Sequence, residues 1–246
     1  MYFSVAIPTF NRYHKIKKTI QILSDNQYIT EIVISDDYSS KKNELEDFEK
    51  IIKQYPKVKL YKNNINLGPF HNKIKAISYC TNEWTLLLDS DMMIQNSFFE
   101  LLQNIELDKK CIYHSQYMNN GDGGNYNNDN FELIQFGNKT FEYYMKNKRY
   151  LLNTSNYIVN KNEYLTVIKP YMNKNIFYND AFCLTYIWLI NDHYFKVIPK
   201  LSMAVYPNSY HGFYIKFQNK NKIVTEILIK YYEKLDKTWN FKESCK

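Results

Sequence analysis

Short apolar runs alternate with segments of helical periodicity along the first half of the chain. The apolar runs predict strands at residues 3–7, 32–34, 58–60 and 86–88. Between these runs, apolar residues recur about one turn apart, as Ile16, Ile20 and Leu23 do, which predicts three helices. Because strands that alternate with helices are joined by crossover connections, the pattern predicts an α/β fold with a mostly parallel central sheet flanked by helices.

The second half of the chain has a different pattern. It predicts helices at residues 140–148, 162–168 and 180–191, and short strands at 157–159, 194–198 and 202–206. Residues 118–130 contain three of the six glycines and no apolar periodicity, which is typical of a long loop. This loop is either a lid or a tolerated surface insertion. No hinge rich in Pro and Gly divides the chain, so we expect one domain.

Polar segments follow the predicted strands of the first half. In an open α/β sheet, ligands bind outside the carboxyl ends of the strands. The candidate binding segments are therefore residues 8–12, 36–40, 63–73 and 89–91.

The segment after the fourth strand carries two carboxylates, Asp89 and Asp91, separated by Ser90. Side chains at i and i+2 of an extended chain point the same way, so both carboxylates can face one point. Oxygen ligands of this kind suit Mg²⁺ or Mn²⁺, which usually take substrate phosphates as further ligands. The alternative is that these residues cap a helix beginning near Ser97 or solvate a turn.

Composition limits the classes of partner and compartment. The formal net charge of +7 favours anionic partners such as phosphates, acidic glycans, nucleic acid or anionic lipid. The four cysteines form no CxxC pair, which argues against a zinc ribbon or a disulfide framework. With no apolar stretch long enough to span a bilayer, and a strand pattern at the N-terminus, we expect a cytoplasmic protein.

The C-terminal segment is basic and amphipathic. Ile223, Ile227, Leu228 and Leu235 lie on one face of a predicted helix, with lysines around it. Such a helix usually docks on the rest of the protein, and peripheral contact with a membrane is the alternative.

Six segments, in this order, resemble the family 2 glycosyltransferases of the GT-A fold, a Rossmann-like architecture with a smaller acceptor-side region. They are VAIPTFNR (5–12), IVISDDYSS (32–40), NLGPFHNK (66–73), LLLDSD (86–91), YND (178–180) and YHG (210–212). The resemblance implies a single domain over residues 1–246. Its parts would be a nucleotide-sugar-binding half (1–115), an acceptor and catalytic half (116–215) and the C-terminal helical segment (216–246).

The same resemblance implies an activity and its partners. We expect a metal-dependent, inverting transfer of a sugar from a nucleoside-diphosphate donor, with a UDP-sugar favoured. The acceptor would be a hydroxyl of a glycan, a lipid-linked molecule or a protein, and nucleic acid is not an expected partner.

The resemblance also assigns the nucleotide-binding residues. The base would be cradled by the segment Pro8, Thr9, Phe10, Asn11 and Arg12. Phe10 would stack on the base, although a core aromatic is the alternative for this residue. Asp37, or its neighbour Asp36, would accept a hydrogen bond from the imide N–H of the base. Gly68 would permit a turn, and Lys73 would contact a phosphate oxygen.

The remaining roles concern the metal and the reaction. In the resemblance, Asp89, with Ser90 beside it, contacts the ribose or a metal-bound water, and Asp91 binds the metal that bridges both phosphates. His211 matches a histidine that completes the metal site, which would favour Mn²⁺ over Mg²⁺. Asp180, in an Asn-Asp pair, is the expected catalytic base, and an N-cap role is the alternative.

Two other classes fit parts of the pattern. A strand that ends in DxD also opens the haloacid-dehalogenase-like phosphatases, but there it is usually the first strand, and here three strands precede it. A degenerate transferase that binds sugar nucleotides without turnover is the second alternative. A dinucleotide-binding dehydrogenase is disfavoured because no G-x-G-x-x-G follows the first strand.

Overall fold

The computed structural model describes residues 1–94, 97–119, 134–135, 156–173 and 180–205. Within these residues, nine strands form one sheet with helices on both faces. The strands are β1 (Phe3–Thr9), β2 (Ile29–Asp36), β3 (Val58–Lys62), β4 (Trp84–Leu87), β5 (Met92–Ile94), β6 (Cys111–Asn119), β7 (Ile134–Gln135), β8 (Tyr157–Asn160) and β9 (Tyr194–Val205). The helices are α1 (Tyr13–Ser24), α2 (Lys42–Ile52), α3 (Gly68–Ser78), α4 (Ser97–Leu102), α5 (Lys161–Ile168) and α6 (Asp180–Ile190), and a 3-10 turn (Lys169–Tyr171) follows α5.

The strand order is β3-β2-β1-β4-β8-β6-β9-β5, and β7 pairs with β9. Strands β3, β2, β1 and β4 are all parallel, whereas β8 is antiparallel to both β4 and β6. The chain passes from β1 outward to β2 and β3, and then returns to place β4 on the other side of β1. This reversal opens a crevice at the carboxyl ends of β1 and β4, where α/β proteins bind ligands.

Alternate residues of the central strands face two separate cores. Val5 and Ile7 of β1 contribute to one core, while Ala6 between them contributes to the other. The first core also contains apolar residues of α1, α2 and α4, and the second contains those of α3, α5 and α6. All seven residues of β1 are buried, which fits its mainly apolar sequence, because a parallel strand is covered on both faces.

Helix α6 lies deep in the second core. Every residue from 183 to 190 is buried, including Trp188. The indole Nε1 of Trp188 donates to the carbonyl of Tyr194 at 2.9 Å, which fastens the helix to the start of β9. A helix that is apolar all round is expected to be buried in this way, and its first residue, Asp180, is thereby held at the edge of the core.

The α/β fold class with flanking helices is confirmed, and two local differences from the expectation are informative. Strand β5 lies between the DxD and α4, which excludes the alternative that the DxD caps the helix near Ser97. The two short strands expected at 194–198 and 202–206 are one strand, β9. Its pairing with β6 is irregular around Pro199, which lacks an N–H to donate to the neighbouring strand.

Some expectations lie outside the described residues. These are the helix at 140–148, most of the loop at 118–130, His211 and the amphipathic segment at 216–246. Among the residues that are described, no helix is long and apolar enough to cross a bilayer.

Candidate functional site

A cavity of about 430 Å³ lies at the carboxyl ends of β1, β2 and β4. The predicted site residues that line it are Pro8, Thr9, Phe10, Arg12, Asp37, Gly68, Lys73, Asp89, Ser90, Asp91 and Asp180. The topology brings these residues together because each lies at the end of a strand, in the loop after a strand, or in the first two turns of a helix beside the crevice. The sequence analysis did not single out three further lining residues, Asn66, Pro69 and Asn72, although all three belong to the NLGPFHNK segment.

Asp37 fixes the turn that begins α3. Its Oδ1 accepts hydrogen bonds from the backbone N–H of Leu67 at 2.8 Å and from Nδ2 of Asn63 at 3.0 Å. Its Oδ2 accepts from the N–H of Gly68 at 2.9 Å. Burial raises the pKa of Asp37 above its ordinary value, although these hydrogen bonds act in the opposite direction. Gly68 has a φ of 79°, a conformation that costs glycine little.

Asp36 and Asn11 do not line the cavity but shape the loops beside it. The carboxylate of Asp36 accepts from the backbone N–H of Ser39 at 3.1 Å and from the hydroxyl of the same residue. Asn11 Oδ1 accepts from the N–H of Ser40 at 2.9 Å. Of the two residues predicted for the base contact, Asp37 lines the cavity, and Asp36 is hydrogen-bonded within its own loop.

Phe10 lies at the cavity wall with 41% of its surface exposed. It belongs to neither core, so the alternative of a core aromatic was wrong. An exposed ring at the edge of the cavity is available for stacking.

Both carboxylates of the DxD are paired with cations of the chain. Asp91 Oδ2 lies 2.9 Å from Nη1 of Arg12, and Asp89 Oδ1 lies 3.1 Å from Nζ of Lys73. The backbone N–H of Asp89 donates to Asn156 Oδ1 at 2.7 Å, which orients the loop after β4. Burial and the negative charge of Asp89 raise the pKa of Asp91, and Arg12 partly offsets that rise.

Lys73 joins Asp89 to Asp180. Its Nζ lies 2.5 Å from Asp180 Oδ2 in addition to its contact with Asp89, and the residue is 6% exposed. Burial alone would lower the pKa of Lys73, but the charges of Asp180 and Asp89 outweigh burial and raise it above its ordinary value. Lys73 therefore stays an ammonium between two carboxylates.

The described residues offer part of a metal site. They contain no group of three or more His, Cys, Asp or Glu side chains that could hold a metal. Asp89 and Asp91 nevertheless present oxygen ligands on one side of the cavity, and their mutual repulsion raises the pKa of Asp91. Such a pair fits Mg²⁺ or Mn²⁺ when the other ligands come from phosphates and water.

The chain is similar to known proteins in both sequence and fold. The sequence profile of glycosyl transferase family 2 matches residues 4–198. No curated protein matches the chain. Among solved structures, S. aureus TarS 1–349 in complex with UDP-GlcNAc superposes with a TM-score of 0.67 at 17% identity, covering 99% of this chain and 69% of that one.

Two further structures are similar. S. aureus TarS 1–349 without a named ligand has a TM-score of 0.60 at 19% identity over 83% of this chain, which spans 60% of the length of that protein. GalNAc-T7 with UDP, GalNAc and Mn²⁺ has a TM-score of 0.61 at 14% identity over 83% of this chain and 44% of that one. At these identities the likeness establishes a shared fold, the GT-A fold.

Proposed function

Because this chain belongs to glycosyl transferase family 2, we propose that it transfers a sugar from a nucleoside-diphosphate donor to a hydroxyl acceptor, with inversion at the anomeric carbon. The favoured donor is a UDP-sugar. The observation that carries the proposal is the convergence of Asp37, Asp89, Asp91 and Asp180, with Lys73, on one cavity at the switch point of the sheet.

The cavity has an end suited to a nucleobase. Phe10 offers an exposed ring, and stacking of a base on an aromatic ring is worth about 1 to 3 kcal/mol. Asp37 uses three hydrogen bonds of about four that a carboxylate accepts. The remaining position on Oδ2 can accept the imide N–H of a uracil, which would favour uracil over cytosine.

The opposite end suits a diphosphate. Arg12 supplies positive charge, and Asp89 and Asp91 would hold a divalent cation, Mn²⁺ or Mg²⁺. His211, which lies outside the described residues, would also bind this cation. When bound, such a cation supplies Lewis-acid stabilisation of the departing diphosphate. Arg12 is suited to a bidentate contact with phosphate oxygens.

Asp180 is the proposed catalytic base. It begins α6 on the cavity wall, where its carboxylate could take the proton of the acceptor hydroxyl as that oxygen attacks the anomeric carbon. In this assignment residues 1–115 bind the donor, and residues 116–215 supply the base and the acceptor surface.

Nucleotide binding is the first test. A ligand that binds only the folded state raises its stability by RT ln(1 + [L]/Kd), about 2.7 kcal/mol at 100 times Kd. UDP with Mn²⁺ is expected to raise the melting temperature by several degrees, and CMP much less. If no nucleoside diphosphate shifts the melting temperature with or without Mn²⁺, the proposal is wrong.

Turnover is the second test. Release of the nucleotide from UDP-, GDP-, dTDP- and CMP-sugars would identify the donor, and Asp91→Asn should reduce release strongly. Binding of UDP without turnover of any donor would favour the degenerate sugar-nucleotide-binding module. Phosphate release from simple phosphoesters, lost in Asp89→Asn, would favour the phosphatase.

A further inference from the structure

We propose that Lys73 is a positioning residue for the catalytic base. In this assignment, which rests on the proposed function, Lys73 holds the carboxylate of Asp180 in the orientation needed for proton transfer. Its main effect would be on the rate of transfer, and its effect on binding of the donor nucleotide would be small.

The burial of Lys73 supports this role. A side chain free to follow a phosphate would be expected to keep its ammonium in solvent, whereas the side chain of Lys73 is 8% exposed. A buried ammonium needs partners of opposite charge, and Lys73 has two, Asp180 at 2.5 Å and Asp89 at 3.1 Å. Removing it would leave two carboxylates facing each other.

The helix that carries Lys73 is fixed to the sheet. The neighbouring Asn72 donates from Nδ2 to the carbonyl of Ser35 at 3.0 Å and accepts from the Ser35 hydroxyl at 2.7 Å. The first turn of α3 is held by Asp37 through the N–H groups of Leu67 and Gly68. The backbone that carries the Lys73 side chain is thus anchored on β2, in the donor half of the protein.

Asp180, by contrast, begins its helix and lies 107 residues away in sequence. Its contact with Lys73 ties the acceptor half to the rigid donor half. A carboxylate with one oxygen bound to a fixed ammonium cannot rotate freely about its side-chain torsions. The other oxygen, Oδ1, can then be presented to the acceptor hydroxyl in one geometry, and errors of about 1 Å in such geometry cost on the order of 100-fold in rate.

A double-mutant cycle tests the assignment. The variants are Lys73→Met, Asp180→Asn and the double variant, and the donor is the UDP-sugar that the turnover screen selects. Lys75→Met, which removes a less buried lysine from the same helix, is the matched control. The kcat and KM of transfer, the Kd of UDP with Mn²⁺ and the melting temperature are measured for each protein.

If Lys73 acts through Asp180, Lys73→Met lowers kcat about 10- to 100-fold while the Kd of UDP changes less than about threefold. In the Asp180→Asn background the same substitution lowers kcat by less than about threefold, because the two groups act as one unit. Lys75→Met leaves all four quantities near those of the wild type. Lys73→Arg, which keeps the charge, should recover part of kcat and provides a folded variant if Lys73→Met does not fold.

Two results would overturn the inference. One is a loss of UDP affinity tenfold or more with kcat unchanged, which would make Lys73 a phosphate-binding residue. The other is an equal loss of kcat in the wild-type and Asp180→Asn backgrounds. Failure of the proposed function is distinguishable, because then the wild-type protein itself would neither bind UDP nor turn over any donor.

Discussion

At the scale of single residues, the candidate site is a set of carboxylates that the chain has already paired with its own groups. Arg12 pairs with Asp91, Lys73 with Asp89 and Asp180, and backbone N–H groups with Asp37. A cation that binds one of these carboxylates must compete with the group already paired to it. The energetic consequences can be measured one residue at a time.

Arg12 is expected to compete with a divalent cation for Asp91. The pair is 2.9 Å apart and Arg12 is 32% exposed, so its strength should be about 1 kcal/mol or less. Arg12→Gln should therefore lower the Kd of Mn²⁺ alone by up to about fivefold in calorimetry without nucleotide. Lys17→Gln, an exposed substitution on α1, controls for net charge. Unchanged or weaker Mn²⁺ binding in Arg12→Gln alone would contradict this prediction.

Glu31 is expected to make stability depend on pH at the other end of the sheet. Burial raises its pKa, but hydrogen bonds from Ser4 and Thr81 and the ammonium of Lys59 at 3.0 Å outweigh burial, and the pKa falls from 4.5 to about 2. Since the folded-state pKa is depressed, the contribution is complete above pH 4.5 and is lost as pH falls toward 2.

The size of this effect follows from the shift. The fall of the Glu31 pKa from 4.5 to about 2 corresponds to roughly 3 kcal/mol. Because Glu31 is only 3% exposed, solvent screens this interaction little. Glu31→Gln should lower the free energy of unfolding by about 2 to 3 kcal/mol at pH 7, and the difference from wild type should shrink by about 1 kcal/mol at pH 3.5. Urea unfolding at both pH values measures it. If the difference in the free energy of unfolding does not change with pH, the pKa of Glu31 is not depressed in the folded protein.

At the scale of elements, the start of α3 links local conformation to the proposed donor site. Gly68 adopts a φ of 79° and donates its N–H to Asp37. The turn therefore favours a residue without a Cβ, and the hydrogen bond to Asp37 depends on the conformation of the turn. A defect in this one element should appear both in stability and in nucleotide affinity.

Gly68→Ala is expected to lower the free energy of unfolding by about 1 to 2 kcal/mol, the cost of a left-handed conformation for a residue with a Cβ. The Kd of UDP should rise as well, because Asp37 loses its fixed geometry. Ser78→Ala, at the other end of α3, removes a hydrogen bond to the carbonyl of Lys75 and is the control. Equal UDP affinity in Gly68→Ala and wild type would contradict this prediction, because it would show that the turn does not influence the site proposed for the base.

At the scale of the whole molecule, the two halves share their cores. The second core combines Ala6 and Val33 from the first half with Tyr164, Leu184 and Trp188 from the second. Strand β4 of the first half is paired with β8 of the second. Neither half can therefore lose its structure without exposing apolar surface of the other.

The molecule is expected to unfold in one cooperative transition. Trp84 lies in the first core and Trp188 in the second, so each indole reports on one core when the other tryptophans are replaced by phenylalanine. Their fluorescence transitions in urea should coincide with each other and with the loss of far-UV circular dichroism. Midpoints that differ by more than the fitting error would indicate two independently folding units instead of one domain.

The sequence by itself determined those features that depend on neighbours along the chain. Short apolar runs predicted β1 to β4, because a strand covered on both faces is mostly apolar. Apolar residues at helical spacing predicted α1 to α3 and α6. The order of the motifs indicated the family. The rule that ligands bind at the carboxyl ends of parallel strands indicated which segments form the site. Local pattern did not reveal β5, whose three residues are too few to show a period.

Only the tertiary structure decided how the site residues are paired. The ion pair of Arg12 with Asp91 and the contact of Lys73 with Asp180 join partners 79 and 107 residues apart. Charge and burial at such separations are set by the strand order and the packing of helices on both faces of the sheet. No window of sequence contains them, because the free energy of each pair depends on which other groups exclude water from it.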